Sequence, residues 1–122
     1  MKYLLSIYSN REVWDSLPEQ VRTEIQQGHG EFIAAISQTG EFVSTDALDA
    51  PSSSAVVAVR DGVTTVTDGP FAESKEFLAG FYVVECESAE RARAVAAMIP
   101  DAGVEGLAIE VRPIVFSDSR TG

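Results

Sequence analysis

The sequence predicts an α+β domain of the split β-α-β type. Three observations carry this expectation. Two amphipathic helical stripes each lie between strand-like runs. The dipeptide Asp61-Gly62 separates two alternating segments, a strong signal for a two-residue hairpin. An apolar run opens the chain and a second closes it.

Residues 2–8 are rich in Tyr, Leu and Ile and read as the first strand, with Tyr3, Leu5 and Ile7 on one face and Leu4, Ser6 and Tyr8 on the other. Arg11 to Leu17 reads as a connector with a helical turn around Trp14. Pro18 suits a first helical turn and Glu19 its positive end. Val21, Ile25, Phe32, Ile33 and Ile36 then recur at helical spacing, and Gly40 suits a left-handed cap after Thr39. His29 lies on this stripe between Gly28 and Gly30. Each glycine costs about 1 kcal/mol relative to alanine inside a helix, so a break between two helices is the expectation here.

Glu41 to Leu48 reads as a second strand, and residues 49–54 as a loop. Ala55–Arg60 and Val63–Thr67 form the hairpin. Asp68-Gly69-Pro70-Phe71 leaves the strand, and Ala72 to Glu76 is read as one helical turn. Phe77 to Glu87 is a long strand with Gly80 as a bulge or close-approach point. Ser88 caps a second helix whose apolar face is Ala92, Val95, Ala96 and Ile99, and Pro100 ends it. Leu107 to Phe116 closes the chain as a strand. This order matches the ferredoxin-like arrangement with an added hairpin. It leaves one sheet face uncovered, and that face, with Glu110 and Arg112 beside Ile114 and Phe116, suits an interface or a cleft.

The 122 residues suit one domain, expected over 1–116 with a flexible tail at 117–122. Lys plus Arg is 9 against 19 Asp plus Glu, a net charge of -10. That disfavours nucleic acid and anionic membrane surfaces as partners. The lone Cys86 permits no internal disulfide and fits a reducing cytoplasm. The opening apolar run is too short for a signal-peptide core or a membrane span. His29 is the only histidine, so no metal site of several imidazoles is available, and neither EF-hand, P-loop nor nucleophile-elbow spacing occurs. No metal or cofactor is expected.

Two readings of the polar residues stand side by side. In one, His29 and Asp68 form an acid–base pair, since histidine titrates near neutral pH without perturbation. In the other, His29 packs on its apolar stripe and Asp68 caps a turn before Gly69-Pro70. Ser6 and Tyr8 offer hydroxyls to a cleft or pack an interface. Arg112 either grips an anionic ligand group or pairs with Glu110 or Glu85. Phe71 reads as a core anchor, Trp14 as cover for a core edge, and Cys86 as a small apolar group.

The stretch Val66-Thr67-Asp68-Gly69-Pro70-Phe71-Ala72-Glu73-Ser74-Lys75-Glu76, followed by Gly80-Phe81-Tyr82, resembles the DGPF group of the YCII-related domain family. Met1-Lys2-Tyr3 through Tyr8, Arg60-Asp61-Gly62 and Glu110-Val111-Arg112-Pro113 agree with it, so the resemblance spans residues 1 to about 116. It implies a ferredoxin-like fold that pairs sheet against sheet as a dimeric α/β barrel. It also implies a His–Asp pair in a cleft, matched here to His29 and Asp68, and a genetic setting near alternative sigma factors. The expected function is a cytosolic homodimer that binds a small organic molecule and carries out cofactor-free lyase- or isomerase-like proton transfer. The alternative is a non-enzymatic regulatory module with a protein partner.

Overall fold

The computed structural model describes residues 1–120. Strand β1 (Lys2–Asn10) leads into a short helix α1 (Arg11–Ser16) and the long helix α2 (Glu19–Gln38). Asn10 caps α1, its side-chain oxygen accepting from the backbone N–H groups of Glu12 and Val13. Strand β2 (Phe42–Ala47) follows, then a 3-10 turn at Pro51–Ser53 and the hairpin of β3 (Ala55–Arg60) and β4 (Val63–Asp68). Strand β5 (Glu76–Glu85), helix α3 (Ala89–Ala96), a 3-10 turn at Pro100–Gly103 and strand β6 (Ala108–Pro113) complete the fold. Ser88 caps α3 through its hydroxyl, as the sequence indicates.

The four-stranded sheet has the order β2-β5-β1-β6 and every pairing is antiparallel. This is the ferredoxin-like α+β arrangement, with the β3–β4 hairpin as a separate two-stranded sheet. Asp61 (φ 51°) and Gly62 (φ 76°) both adopt positive φ, the geometry of a tight two-residue hairpin turn.

Alternation along the strands sends one face to the helices. Tyr3, Leu5 and Ile7 of β1 and Tyr82 and Val84 of β5 meet Phe32 and Ile36 of α2, Ala92, Val95 and Ala96 of α3, and Ile99. Arg91 of α3 grips Glu41 with two hydrogen bonds of 2.9 and 2.8 Å, tying α3 to the start of β2. Cys86 is buried beside this pair, and burial, reinforced by Glu41, pushes its thiol up to about 11.

Four local expectations change. Helix α2 runs unbroken through Gly28 and Gly30, because Gly28 is where the helix meets Pro100: a Cβ there would lie 2.7 Å from the proline ring. Pro18 is the N-cap of α2 and not part of its first turn. No helical turn forms over 72–76; β5 begins at Glu76. Phe71 is 89% exposed and anchors no core, since it lies beyond the end of the hairpin and off the sheet. Of the tail at 117–122, residues 117–120 have no regular structure and 121–122 lie outside the described residues.

Candidate functional site

Two elements distant in sequence bring the site together. Helix α2 approaches the 3-10 turn at Pro100–Gly103 closely because Gly28 lacks a side chain. The next residue of each element, His29 and Asp101, then face one another. His29 Nε2 lies 2.6 Å from Asp101 Oδ1, and His29 Nδ1 lies 2.7 Å from the hydroxyl of Tyr82 on β5. The His29 and Tyr82 rings are nearly coplanar in orientation, 6° apart, with centroids 5.9 Å apart. Phe32 packs edge-on against Tyr82 at 4.9 Å.

The tautomer follows from the partners. A carboxylate only accepts, so Nε2 carries the proton that Asp101 receives. With the ring neutral, Nδ1 accepts from the Tyr82 O–H. The chain therefore reads Tyr82 O–H to Nδ1, then Nε2–H to Asp101 Oδ1. Both ring nitrogens are committed to protein partners. Tyr82 and Asp101 are buried, while the His29 side chain keeps a quarter of its surface. Burial first, and the Asp101 charge after it, pushes the Tyr82 hydroxyl above its ordinary range. Asp101 Oδ2 accepts no hydrogen bond among the described residues.

His29, Tyr82 and Asp101 line a cavity of about 300 Å³ with Ile7, Thr45, Asp46 and Gly80. Gly80 is required at its wall: a Cβ there would stand 2.9 Å from the Asp46 carbonyl oxygen. A second chamber of about 270 Å³ shares Asp101 and Ala79 with the first. A larger opening of about 670 Å³ lies between residues 48–54 and 70–78 and contains neither His29 nor Asp101. The hydrogen-bonded His29, Tyr82 and Asp101 side chains are at the 300 Å³ cavity and not at this larger opening. Among the described residues no group of three or more His, Cys, Asp or Glu side chains is arranged to hold a metal ion.

The profile of the YCII-related domain matches residues 1–116. The chain belongs to the YCII-related domain family. It is also similar to an uncharacterized protein of Rhizobium meliloti (strain 1021), with 27% identity over 116 residues that cover 95% of this chain and 94% of the relative. That relative's name states no activity.

Within this YCII-related domain the residues singled out in the sequence are dispersed. His29 is paired with an aspartate, but that aspartate is Asp101. Asp68 ends β4 opposite Ala55 on the exposed hairpin and is not a partner of His29. It makes no side-chain hydrogen bond among the described residues, so no turn cap is present there either. Ser6 and Tyr8 alternate with Ile7 and belong to the sheet face opposite the His29 cavity. Ser6 is buried between Phe81 and Glu110 on that face, and Tyr8 lines the larger opening. Arg112 shares the same face and forms an ion pair with Glu110. The sheet itself separates these residues from His29, so they do not form one cleft within the chain.

Nothing local in the sequence marks Asp101 or Tyr82 as a partner of His29. Tyr82 lies inside the Gly80-Phe81-Tyr82 run and reads there as a strand aromatic. Asp101 follows the helix-ending Pro100 and reads there as a loop residue. Its one sequence signal is position: a carboxylate directly after a helix stop, in a segment that must return to the sheet.

Proposed function

We propose that this YCII-related domain binds a small organic molecule in the cavity beside His29 and moves a proton on it without a cofactor. The observation that carries this reading is the commitment of both His29 nitrogens, one to Tyr82 and one to Asp101. An imidazole held at both ends orients its two neighbours. Tyr82 supplies a hydroxyl donor, and Asp101 Oδ2 supplies an acceptor. An isomerase-type step balances with these groups alone. Asp101 Oδ2 takes a C–H proton, Tyr82 turns its single O–H proton from His29 Nδ1 to the substrate oxygen where charge develops, and Asp101 returns the proton to a neighbouring atom. His29 is the positioning residue between them.

The test is proton exchange. The protein is incubated in D2O with a cell metabolite extract, and carbon-bound deuterium is followed by NMR and mass spectrometry. The expected result is deuterium incorporation into a specific metabolite that falls at least about 100-fold in Asp101→Asn, the low end of a general acid–base contribution. Identical spectra with wild type and Asp101→Asn would contradict the reading.

A second reading is favoured by the hairpin. Val57, Val59, Val63 and Val66 are all more than half exposed on it, and Phe71 follows. An isolated two-stranded hairpin is marginal alone, so cover from another chain is consistent with its composition. We infer that this surface, with the uncovered sheet face, pairs two copies into a homodimer of the dimeric α/β barrel kind. A regulatory protein partner, as the DGPF resemblance implies, would use the same surface without any turnover. A cytoplasmic location accords with the lone buried thiol. No helix among the described residues is long and apolar enough to cross a membrane.

A further inference from the structure

We propose that the second chamber, on the far side of Asp101, binds the ammonium group of a small primary amine, with Asp101 Oδ2 and Ser9 Oγ accepting its N–H bonds and Trp14 and Phe77 beside its charge. The inference goes beyond the acid–base reading and stands without it. Where that reading holds, a bound amine occupies the oxygen that serves as base and is therefore an inhibitor. Ser9 follows Ile7 on the helix-covered face of β1, and Phe77 is its antiparallel partner on β5. Trp14 comes from α1 and Asp101 from the 3-10 turn at Pro100–Gly103. These four line the chamber together with Arg11 and Asp49.

The two deepest polar groups decide what this chamber takes. Ser9 is 8% exposed and Asp101 is 7% exposed. Neither Ser9 Oγ nor Asp101 Oδ2 has a hydrogen-bond partner among the described residues. Neither is sealed in, because Arg22 Nε is the sole side-chain nitrogen or oxygen there that is both cut off from solvent and unpartnered. Ser9 lines this chamber and neither the His29 cavity nor the larger opening, so its hydroxyl opens here. A buried carboxylate oxygen without a donor is costly, and a ligand N–H relieves that cost. The serine hydroxyl can also accept, so a group with several N–H bonds satisfies both. Charge agrees. Asp49 and Asp101 bring two carboxylates to the walls, and the one guanidinium, Arg11, is exposed to water. Indole and phenyl faces attract cations and not anions. Among the described residues no three His, Cys, Asp or Glu side chains gather to hold a metal, which favours an organic cation. At about 270 Å³ the chamber falls below the roughly 300–1,000 Å³ of drug-sized sites, so an ammonium on a short chain fits the scale.

Trp14 is the only tryptophan of the chain and reports on the chamber directly. Its fluorescence is titrated with propylamine, propionamide and propionate at constant pH and ionic strength. Propylamine is expected to give a saturable change, weakened about tenfold or more in Asp101→Asn, as loss of a charge-assisted hydrogen bond implies. Ser9→Ala is expected to weaken it at least about threefold, which tests the chamber without touching the partner of His29. Propionamide is expected to bind more weakly than propylamine, and propionate weakest. Glu90→Gln removes the same unit of charge from an exposed site on α3 and is expected to leave affinity within about twofold. Failure of deuterium exchange with retained, Asp101-dependent propylamine binding would remove the acid–base reading alone. Equal weakening by Glu90→Gln and Asp101→Asn would reduce the effect to the chain's net charge of -10 and overturn the site. Tighter binding of propionate, affinity unchanged in both Asp101→Asn and Ser9→Ala, or no saturable change at millimolar propylamine would each overturn it as well.

Discussion

The side chains that matter most are those whose polar atoms have been taken out of water in pairs. Tyr82 and Asp101 are buried, and each finds its partner on the same imidazole. Tyr82→Phe removes the donor to Nδ1 and leaves that nitrogen without its partner. The expected loss is about 1 kcal/mol of unfolding free energy, measured by urea denaturation. Cys86 belongs to a different class. Burial and the neighbouring Glu41 raise its thiol to about 11, so it stays protonated at neutral pH. A thiol reagent at pH 7.5 is expected to modify it only on global unfolding; rapid modification of the folded protein would contradict this. Glu41 titrates the other way. The hydrogen bond from Arg91 is the main reason its carboxyl drops from 4.5 to about 2. A group depressed on folding adds stability that is fully present above the unfolded value and is lost as pH falls through the folded one. Acid unfolding between about pH 4.5 and 2 is therefore expected to soften in Arg91→Gln, whose stability should depend less on pH over that window.

At the scale of elements, the site depends on the meeting of α2 and the 3-10 turn that contains Asp101. Gly28 and Gly30 separate this packing role from helix propensity. A Cβ at Gly30 meets nothing within 4 Å, so Gly30→Ala is expected to stabilise the fold by up to about 1 kcal/mol. A Cβ at Gly28 meets Pro100 at 2.7 Å, so Gly28→Ala is expected to lower the melting temperature despite the same gain in propensity. Equal shifts for the two variants, read by thermal unfolding, would contradict this account. The same contact explains what was legible in the sequence and what was not. Period-two strands, the Asp61-Gly62 turn and the apolar stripe of α2 are local patterns, and each appears where the pattern places it, except that the closing strand stops at Pro113 and leaves Ile114 to Phe116 outside the sheet. Gly28 looks like a helix break because propensity is local and the proline that requires the glycine is 72 residues away. Asp101 is invisible for the same reason: nothing near it in sequence marks it as a partner of His29. Asp68 draws notice through a conspicuous motif, yet lies on a hairpin that the chain itself does not cover.

At the scale of the whole molecule, helices α2 and α3 cover one face of the sheet and leave the other with Leu4, Phe81 and Val83 half-buried and Glu110 and Arg112 exposed. A second copy would bury this face and the hairpin valines together. Light scattering at micromolar concentration is expected to give twice the chain mass, and Val57→Lys with Val66→Lys is expected to shift it toward the monomer; a wild-type monomer would contradict the pairing. The net charge of -10 acts at this scale too, as solubility and as a bias against polyanions.

The account centres on a His29 ring bridged between Tyr82 and Asp101, and the chain's single histidine makes that bridge directly observable. Nitrogen-15 NMR of histidine-labelled protein reads the tautomer at one residue without overlap. The predicted result is the Nε2-protonated form, with its N–H proton strongly deshielded, unaltered by Asp68→Asn and lost in Asp101→Asn. A Nδ1-protonated ring, or a spectrum indifferent to Asp101→Asn, would contradict the account.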